Sequence, residues 1–167
     1  MAVLDRLFLA GGYAAAFFLA LIGIIIILQI AGRLLGFVVP AGDDFAAWSL
    51  AASIFLSLAH ALKGGHHIRV TLIIQRLPPG LRHVVELWCL GLATLVSAYF
   101  ALYAILFVHE SLVFGETASG AVALPLWIPQ SSMAIGLVLL ALAFGSELVR
   151  IARGGEIRDE SEASRTE

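Results

Sequence analysis

Four long apolar runs, separated by short polar stretches, constrain this chain more than any other feature of its sequence. The first covers residues 7–31 without a charge, and the others cover about residues 45–62, 84–108 and 127–149. A helix needs about 20 apolar residues to cross a hydrocarbon core about 30 Å thick. Because 60% of the residues are hydrophobic and only 13% are charged, too few polar residues remain to cover a soluble domain. The sequence therefore predicts an all-α integral membrane protein with four transmembrane helices.

The four runs are expected to form one membrane domain over residues 1–153. The charged tail, residues 154–167, has little to bury and is expected to be disordered. The first run is much longer than the apolar part of a secretory signal, which is about 7 to 15 residues. We therefore expect it to be kept as a signal anchor.

A short amphipathic segment is predicted between the second and third runs. Lys63, Gly64 and Gly65 are expected to end the second helix, because glycine adopts the left-handed cap and lysine offsets the negative helix end. The following segment, His66–Leu77, mixes aliphatic residues with arginine and glutamine and is too short to span. It is predicted to lie in the headgroup plane until Pro78 breaks the chain.

Lysine and arginine are distributed unequally between the two sides of the membrane. With four spans, both termini and the middle connection share one side, which holds nine of these residues, while Arg33 alone lies on the other. The positive-inside rule then places both termini in the cytoplasm. Trp48 and Trp127 would lie at the outer interface and Trp88 at the inner one, where amphipathic rings prefer to be.

The second run carries the clearest pattern for helix packing. Its small residues recur every fourth position, at Ser49, Ser53, Ser57 and Ala61. Small residues at this spacing let a neighbouring helix approach closely. Asp43 and Asp44 precede the run; helix capping is the favoured explanation for this pair, and contact with a partner protein is the open alternative.

Residues that could perform chemistry are scarce. The middle of each run lacks ionisable groups, whereas transport pathways usually place such groups or broken helices at mid-membrane. Cys89 has no partner for a disulfide, no basic stripe suggests nucleic acid, and His66 with His67 has no third metal ligand nearby. We therefore predict an accessory membrane subunit rather than an enzyme, with no catalytic, substrate-binding or metal site and no cofactor.

Two other functions remain as alternatives. A membrane anchor that binds haem b in a respiratory enzyme would use His60 and His83 as axial ligands, because both lie near the cytoplasmic side. A small channel or carrier working alone is less consistent with the bare centres of the runs. The haem anchor is therefore the main alternative.

Short motifs also occur in a distinctive order along residues 5–150. They are Asp43-Asp44, the run 60–70 that ends in Gly-Gly-His-His-Ile-Arg-Val, Leu77-Pro78, Gly115-Glu116-Thr117, the run 124–129 and Gly136. In this order they resemble the small membrane subunit, of DctQ type, of tripartite ATP-independent periplasmic (TRAP) transporters. The chain departs from that family in having Asp43-Asp44 where glutamate is more usual. It also has Met133-Ala134 where a proline often precedes the glycine, which leaves the bend of the fourth helix open.

The resemblance implies a function shared by three proteins in a bacterial inner membrane. A periplasmic binding protein would deliver an organic acid, such as a C4-dicarboxylate or sialic acid. A large membrane subunit would move it by an elevator-like motion coupled to sodium, while this chain braces the immobile part of that subunit.

The same resemblance implies roles for three groups of residues. Contact with the large subunit is expected from Ser49, Ser53, Ser57 and Ala61. A cytoplasmic interface motif that contacts the large subunit or lipid phosphates consists of Lys63, Gly64, Gly65, His66, His67 and Arg69. Residues expected near the docked binding protein are Asp43, Asp44, Glu110 and Glu116.

Overall fold

The computed structural model describes residues 2–63 and 78–153, which form four α-helices. The helices are α1 (Ala2–Leu35), α2 (Gly42–Lys63), α3 (Pro79–Phe114) and α4 (Trp127–Ala152). Each is long and apolar enough to cross a membrane. The prediction of an all-α protein with four transmembrane helices is thus confirmed. The predicted interfacial segment His66–Leu77 and the tail 154–167 lie outside the described residues.

All four helices extend beyond the apolar runs that predicted them, α1 and α3 by the largest margins. With a rise of 1.5 Å per residue, α1 and α3 are about 51 and 54 Å long. Helix α3 continues through His109 and Glu110, beyond the predicted span, and ends at Gly115. There a φ of 64° gives the left-handed cap, whose N–H bonds to the Ser111 carbonyl. A helix ends where the backbone turns, so it need not end where the hydrophobic composition ends.

The helices pack in a row rather than around a common axis. Helix α2 packs against both α1 and α4, and α3 packs mainly against α4. Helices α1 and α3 therefore lie at the two ends of the row, and α2 is an interior helix, as its small residues predicted. Two small clusters form the core, one around Phe8, Ala59 and Ala143, the other around Ala15 and Ala52 with Leu56.

Two glycine residues allow close approaches between helices. Gly136 of α4 lies directly against the backbone carbonyl of Phe55 in α2. Gly11 of α1 faces the next carbonyl along, where an added Cβ would be 3.0 Å from the Leu56 oxygen. Lipid tails are as apolar as leucine, so helices in a bilayer associate through such close packing. Gly136 and Gly11 thus place α2 between α4 and α1.

The substitution Gly136→Leu is expected to separate α2 from α4, because no side chain fits beside the Phe55 carbonyl. Overpacking of this kind costs roughly 1–3 kcal/mol in the free energy of unfolding. Unfolding by SDS, followed by circular dichroism in mild detergent, measures the loss. Gly23→Leu is the matched control, because Gly23 has no neighbour within 4 Å. Equal stability of the two variants would contradict this account of the α2–α4 contact.

Candidate functional site

An ionic cluster joins three helices at one end of the row, which we call the Lys63 end. Lys63 Nζ lies 3.3 Å from Glu147 Oε1 and 3.9 Å from Asp5 Oδ1, so it links α2 to α4 and α1. Arg150 donates from Nη2 and Nε to Glu147 Oε2, at 2.6 and 3.0 Å. Lys63 Nζ also lies 5.5 Å from the centre of the Phe8 ring. The ionic cluster, Asp5, Lys63, Glu147 and Arg150, holds the helix ends at one level.

The strength of the ionic cluster follows from its burial. The Glu147 side chain is only 14% exposed and that of Lys63 23%, whereas Asp5 is 62% exposed. Fully exposed ion pairs contribute little, but removing one partner of a partly buried pair leaves the other charge poorly solvated. Of the two contacts that Lys63 makes, the one with Glu147 is therefore expected to contribute more than the one with Asp5.

The opposite end, which we call the Asp43 end, is tied together by the two aspartates of the first turn of α2. Gln29 of α1 donates from Nε2 to Asp43 Oδ1 at 2.9 Å. The Asp44 carboxylate lies directly against Gly120 in the connection between α3 and α4. Among the described residues, the Asp43 carboxylate accepts its hydrogen bond from Gln29 of α1 rather than from a backbone amide of α2. The contacts of the two aspartates thus join α2 to α1 and to the connection between α3 and α4.

The connection between α3 and α4 is an ordered hairpin-like loop. Thr117 and Pro125 form an isolated bridge, and the Leu126 N–H donates to the Glu116 carbonyl at 2.9 Å. Ser111, only 1% exposed, donates from Oγ to Glu116 Oε2 at 3.0 Å. This bond fixes the Glu116 carboxylate on its own helix end, while Glu110 is exposed without a bond inside the described residues.

The structure brings the four predicted acidic residues to the same end but not into one site. Asp43 and Asp44 hold α1 and the loop, whereas Glu110 and Glu116 follow the end of α3. Contact of these residues with a binding protein stays a prediction. Sequence reasoning missed Gln29 as a partner of Asp43. Its signal was present, because Gln29 is the one amide side chain in the first apolar run.

The serine stripe of α2 consists of Ser49, Ser53, Ser57 and Ala61, which were predicted to pack on a large subunit. Helices of this chain cover part of it. Ser49 and Ser53 are 5% and 9% exposed, so this chain's own helices already cover them. Ser57 and Ala61 are half-buried, and Ser57 Oγ donates to the Ile54 carbonyl at 2.8 Å. Packing of the stripe against a large subunit stays a prediction. Ser57 and Ala61 are the members that this chain leaves partly exposed.

Most of the predicted cytoplasmic interface motif lies outside the described residues, namely Gly64, Gly65, His66, His67 and Arg69. Lys63 is the described member, and its ammonium group is used inside the chain by Glu147 and Asp5. Lys63 therefore stabilises the fold whatever else the motif contacts.

The two histidines proposed as haem ligands lie on different helices that do not pack closely on each other. The His60 imidazole packs against α1, where a Cβ at Gly12 would be 2.8 Å from its Cγ. His83 is exposed in the first turns of α3, and both α2 and α3 pack on α4. Among residues 2–63 and 78–153, no group of three or more His, Cys, Asp or Glu is placed to hold a metal. The described geometry gives the haem alternative no support.

These features define a class of protein before any family is considered. The chain is a multi-pass helical membrane protein with charged side chains at the ends of its helices and apolar centres. Comparison with protein families shows that residues 22–154 match the DctQ component of tripartite ATP-independent periplasmic transporters. Because this match covers most of the chain, the protein belongs to the DctQ family, which confirms the resemblance in its sequence motifs. A search of curated proteins finds no match.

The substitution Lys63→Met is expected to lower the free energy of unfolding by roughly 1–3 kcal/mol, because it leaves Glu147 with Arg150 alone at a partly buried position. The double variant with Glu147→Gln should be more stable than the sum of the single losses predicts. SDS unfolding of the four proteins in this cycle measures the coupling. Arg6→Gln, at an exposed position, is the control. A coupling of zero would contradict the proposed contribution of the ionic cluster.

Proposed function

We propose that this chain is the small permease subunit of a TRAP transporter and braces the large membrane subunit during sodium-coupled uptake of an organic acid. A periplasmic binding protein delivers that acid. Membership of the DctQ family supports the transporter and its division into components. The bracing role is supported by one further observation, the apolar centre of every helix.

No acidic, basic or histidine side chain lies in the central part of any of the four described helices. In α1 none occurs between Arg6 and Arg33, and in α3 none occurs between Glu86 and His109. The helices are also continuous, whereas secondary transporters bind substrate and ions at broken helices or at ionisable groups near mid-membrane. The transport pathway is therefore assigned to the large subunit, and this chain has a supporting role.

The orientation we propose follows the positive-inside rule. The Lys63 end would face the cytoplasm, because nine of the ten lysine and arginine residues belong to that side. Both termini would then be cytoplasmic, in the inner membrane of a bacterium. The Asp43 end would face the periplasm, where the binding protein docks.

Among the acidic residues of the Asp43 end, Glu110 is the best candidate for contact with the binding protein. Asp43 accepts a bond from Gln29, and Glu116 accepts one from Ser111. Glu110 is exposed and has no hydrogen bond or ion pair within the described part of the chain. A carboxylate in this state keeps its full capacity to accept bonds from a partner.

Reconstitution tests the proposal directly. We expect proteoliposomes that contain this chain and the large subunit to take up an organic acid only with binding protein outside and a sodium gradient directed inward. Radiolabelled C4-dicarboxylates and sialic acid are the first substrates to compare. Omitting this chain should reduce uptake to the level of vesicles that lack the binding protein. Undiminished uptake without this chain would refute the bracing role.

Glu110→Gln should weaken docking of the binding protein, because it removes a charge from the docking surface. The saturation constant for binding protein in the uptake assay is expected to rise, with a greater rise at low salt. Asp5→Asn, at the Lys63 end, is the matched control because it removes an exposed carboxylate on the opposite side. An equal effect of the two substitutions would contradict the orientation proposed here.

A further inference from the structure

Two tyrosines in the middle of α3 face out of the chain. Tyr99 and Tyr103 are 55% and 53% exposed, and their ring centres are 4.5 Å apart. They are four residues apart and therefore lie on the same helix face. Neither hydroxyl has a hydrogen bond within residues 2–63 and 78–153. The other hydroxyl side chains in the centre of α3, Thr94 and Ser97, donate to carbonyls of their own helix.

Their depth in the membrane follows from the packing of α3 on α4. Thr94 lies level with Gly145, where an added Cβ would be 3.8 Å from Thr94 Cγ2, and Gly145 precedes Glu147 of the ionic cluster by two residues. At 1.5 Å per residue, Tyr99 and Tyr103 lie about 8 and about 14 Å further along α3. Lys63 and Asp43, 20 residues apart in α2, mark charged levels about 30 Å from one another. Tyr99 and Tyr103 thus lie between these two charged levels, within the apolar layer.

This depth makes lipid an unsuitable neighbour for the tyrosine face. Acyl chains have no hydrogen-bond acceptors, and a hydroxyl moved from water to such an environment without a partner is unfavourable. Tyrosine prefers the membrane interface, where its ring is buried and its hydroxyl is hydrated. The Tyr99 and Tyr103 hydroxyls lie in the part of α3 between Glu86 and His109, which contains no charged or histidine side chain. A protein that supplies acceptors satisfies them instead.

The same face has a shape suited to a second helix. Ser97, Ala101 and Ala104 are buried on the side of α3 that packs on α4, and helical geometry places Tyr99 and Tyr103 on the opposite side. Toward the N-terminus of α3, that outward side continues as an open apolar surface formed by Leu87, Trp88, Gly91, Leu92 and Leu95. Gly91 has no neighbour within 4 Å, so it leaves a gap for a side chain from outside.

We propose that the outward face of α3 binds a membrane helix of the large transporter subunit, and that this helix supplies acceptors to the Tyr99 and Tyr103 hydroxyls within the apolar layer. This inference rests on the proposed function, which requires such a partner. It moves the main contact from the serine stripe of α2, where Ser49 and Ser53 are already covered, to the open end of the helix row.

The double variant Tyr99→Phe/Tyr103→Phe removes both hydroxyls and keeps both rings. Its association with the large subunit, measured by energy transfer between dye-labelled subunits in lipid nanodiscs, should be roughly tenfold weaker than that of the wild type. Its stability alone should not change, because the hydroxyls have no partner in the described chain. Tyr13→Phe is the matched control, because Tyr13 is 71% exposed on α1, at the other end of the row. Association of the double variant within about twofold of wild type would overturn the inference.

A photoreactive benzoylphenylalanine in place of Tyr103 identifies the neighbour independently of affinity. Irradiation of the complex in native membranes should join this chain to the large subunit. A homodimer, or lipid adducts alone, would overturn the proposed interface. If the wild-type chain fails to bind the large subunit at all, the proposed function itself is wrong; if it binds and position 103 does not cross-link to the large subunit, only the α3 interface is wrong.

Discussion

The absence of water from the hydrocarbon core is the constraint on which the rest of this structure depends. Every backbone N–H and C=O within that layer must be satisfied inside the protein, which leaves continuous helices as the solution for a chain of this composition. The same absence removes the usual hydrophobic drive between helices, because lipid is as apolar as their side chains. Contacts of small residues therefore set the packing, and Gly136 against the Phe55 carbonyl is the clearest example.

Charged and polar side chains then fix the two ends of the helix row. At the Lys63 end the ionic cluster connects α1, α2 and α4, and at the Asp43 end two carboxylates hold α1 and the loop that follows α3. The apolar layer between these ends contains no acidic, basic or histidine side chain in the described helices. A chain tied at both ends and uncharged at its centre is consistent with the supporting role proposed for it. The interface proposed on α3 would give that role a specific surface.

Much of this could be predicted from sequence because hydropathy acts locally. Four runs of apolar residues were enough to predict four helices, and Gly115 and Pro79 occur where the third helix ends and begins. Helix lengths were underestimated, since α3 continues as a regular helix through His109 and Glu110 although its composition has become polar. The sequence indicates only one pair of the ionic cluster, because helical spacing reveals partners on one helix but not partners on different helices. Glu147 and Arg150 are neighbours on one helix, but Lys63 and Asp5 come from others.

By itself, the sequence determined the number of spans, the unequal distribution of positive charge and the lack of charged side chains at the helix centres, because each depends on residue types along the chain. The packing order of the helices, which only the tertiary structure shows, decided which neighbour covers each helix face. The repeat of Ser49 and Ser53 predicted close packing correctly but not its partner, and only the placement of α2 between α1 and α4 showed that this partner belongs to the same chain. Likewise, Tyr99 and Tyr103 became informative only when α3 was found at the end of the row. A helical repeat specifies a face, but tertiary contacts specify what covers it.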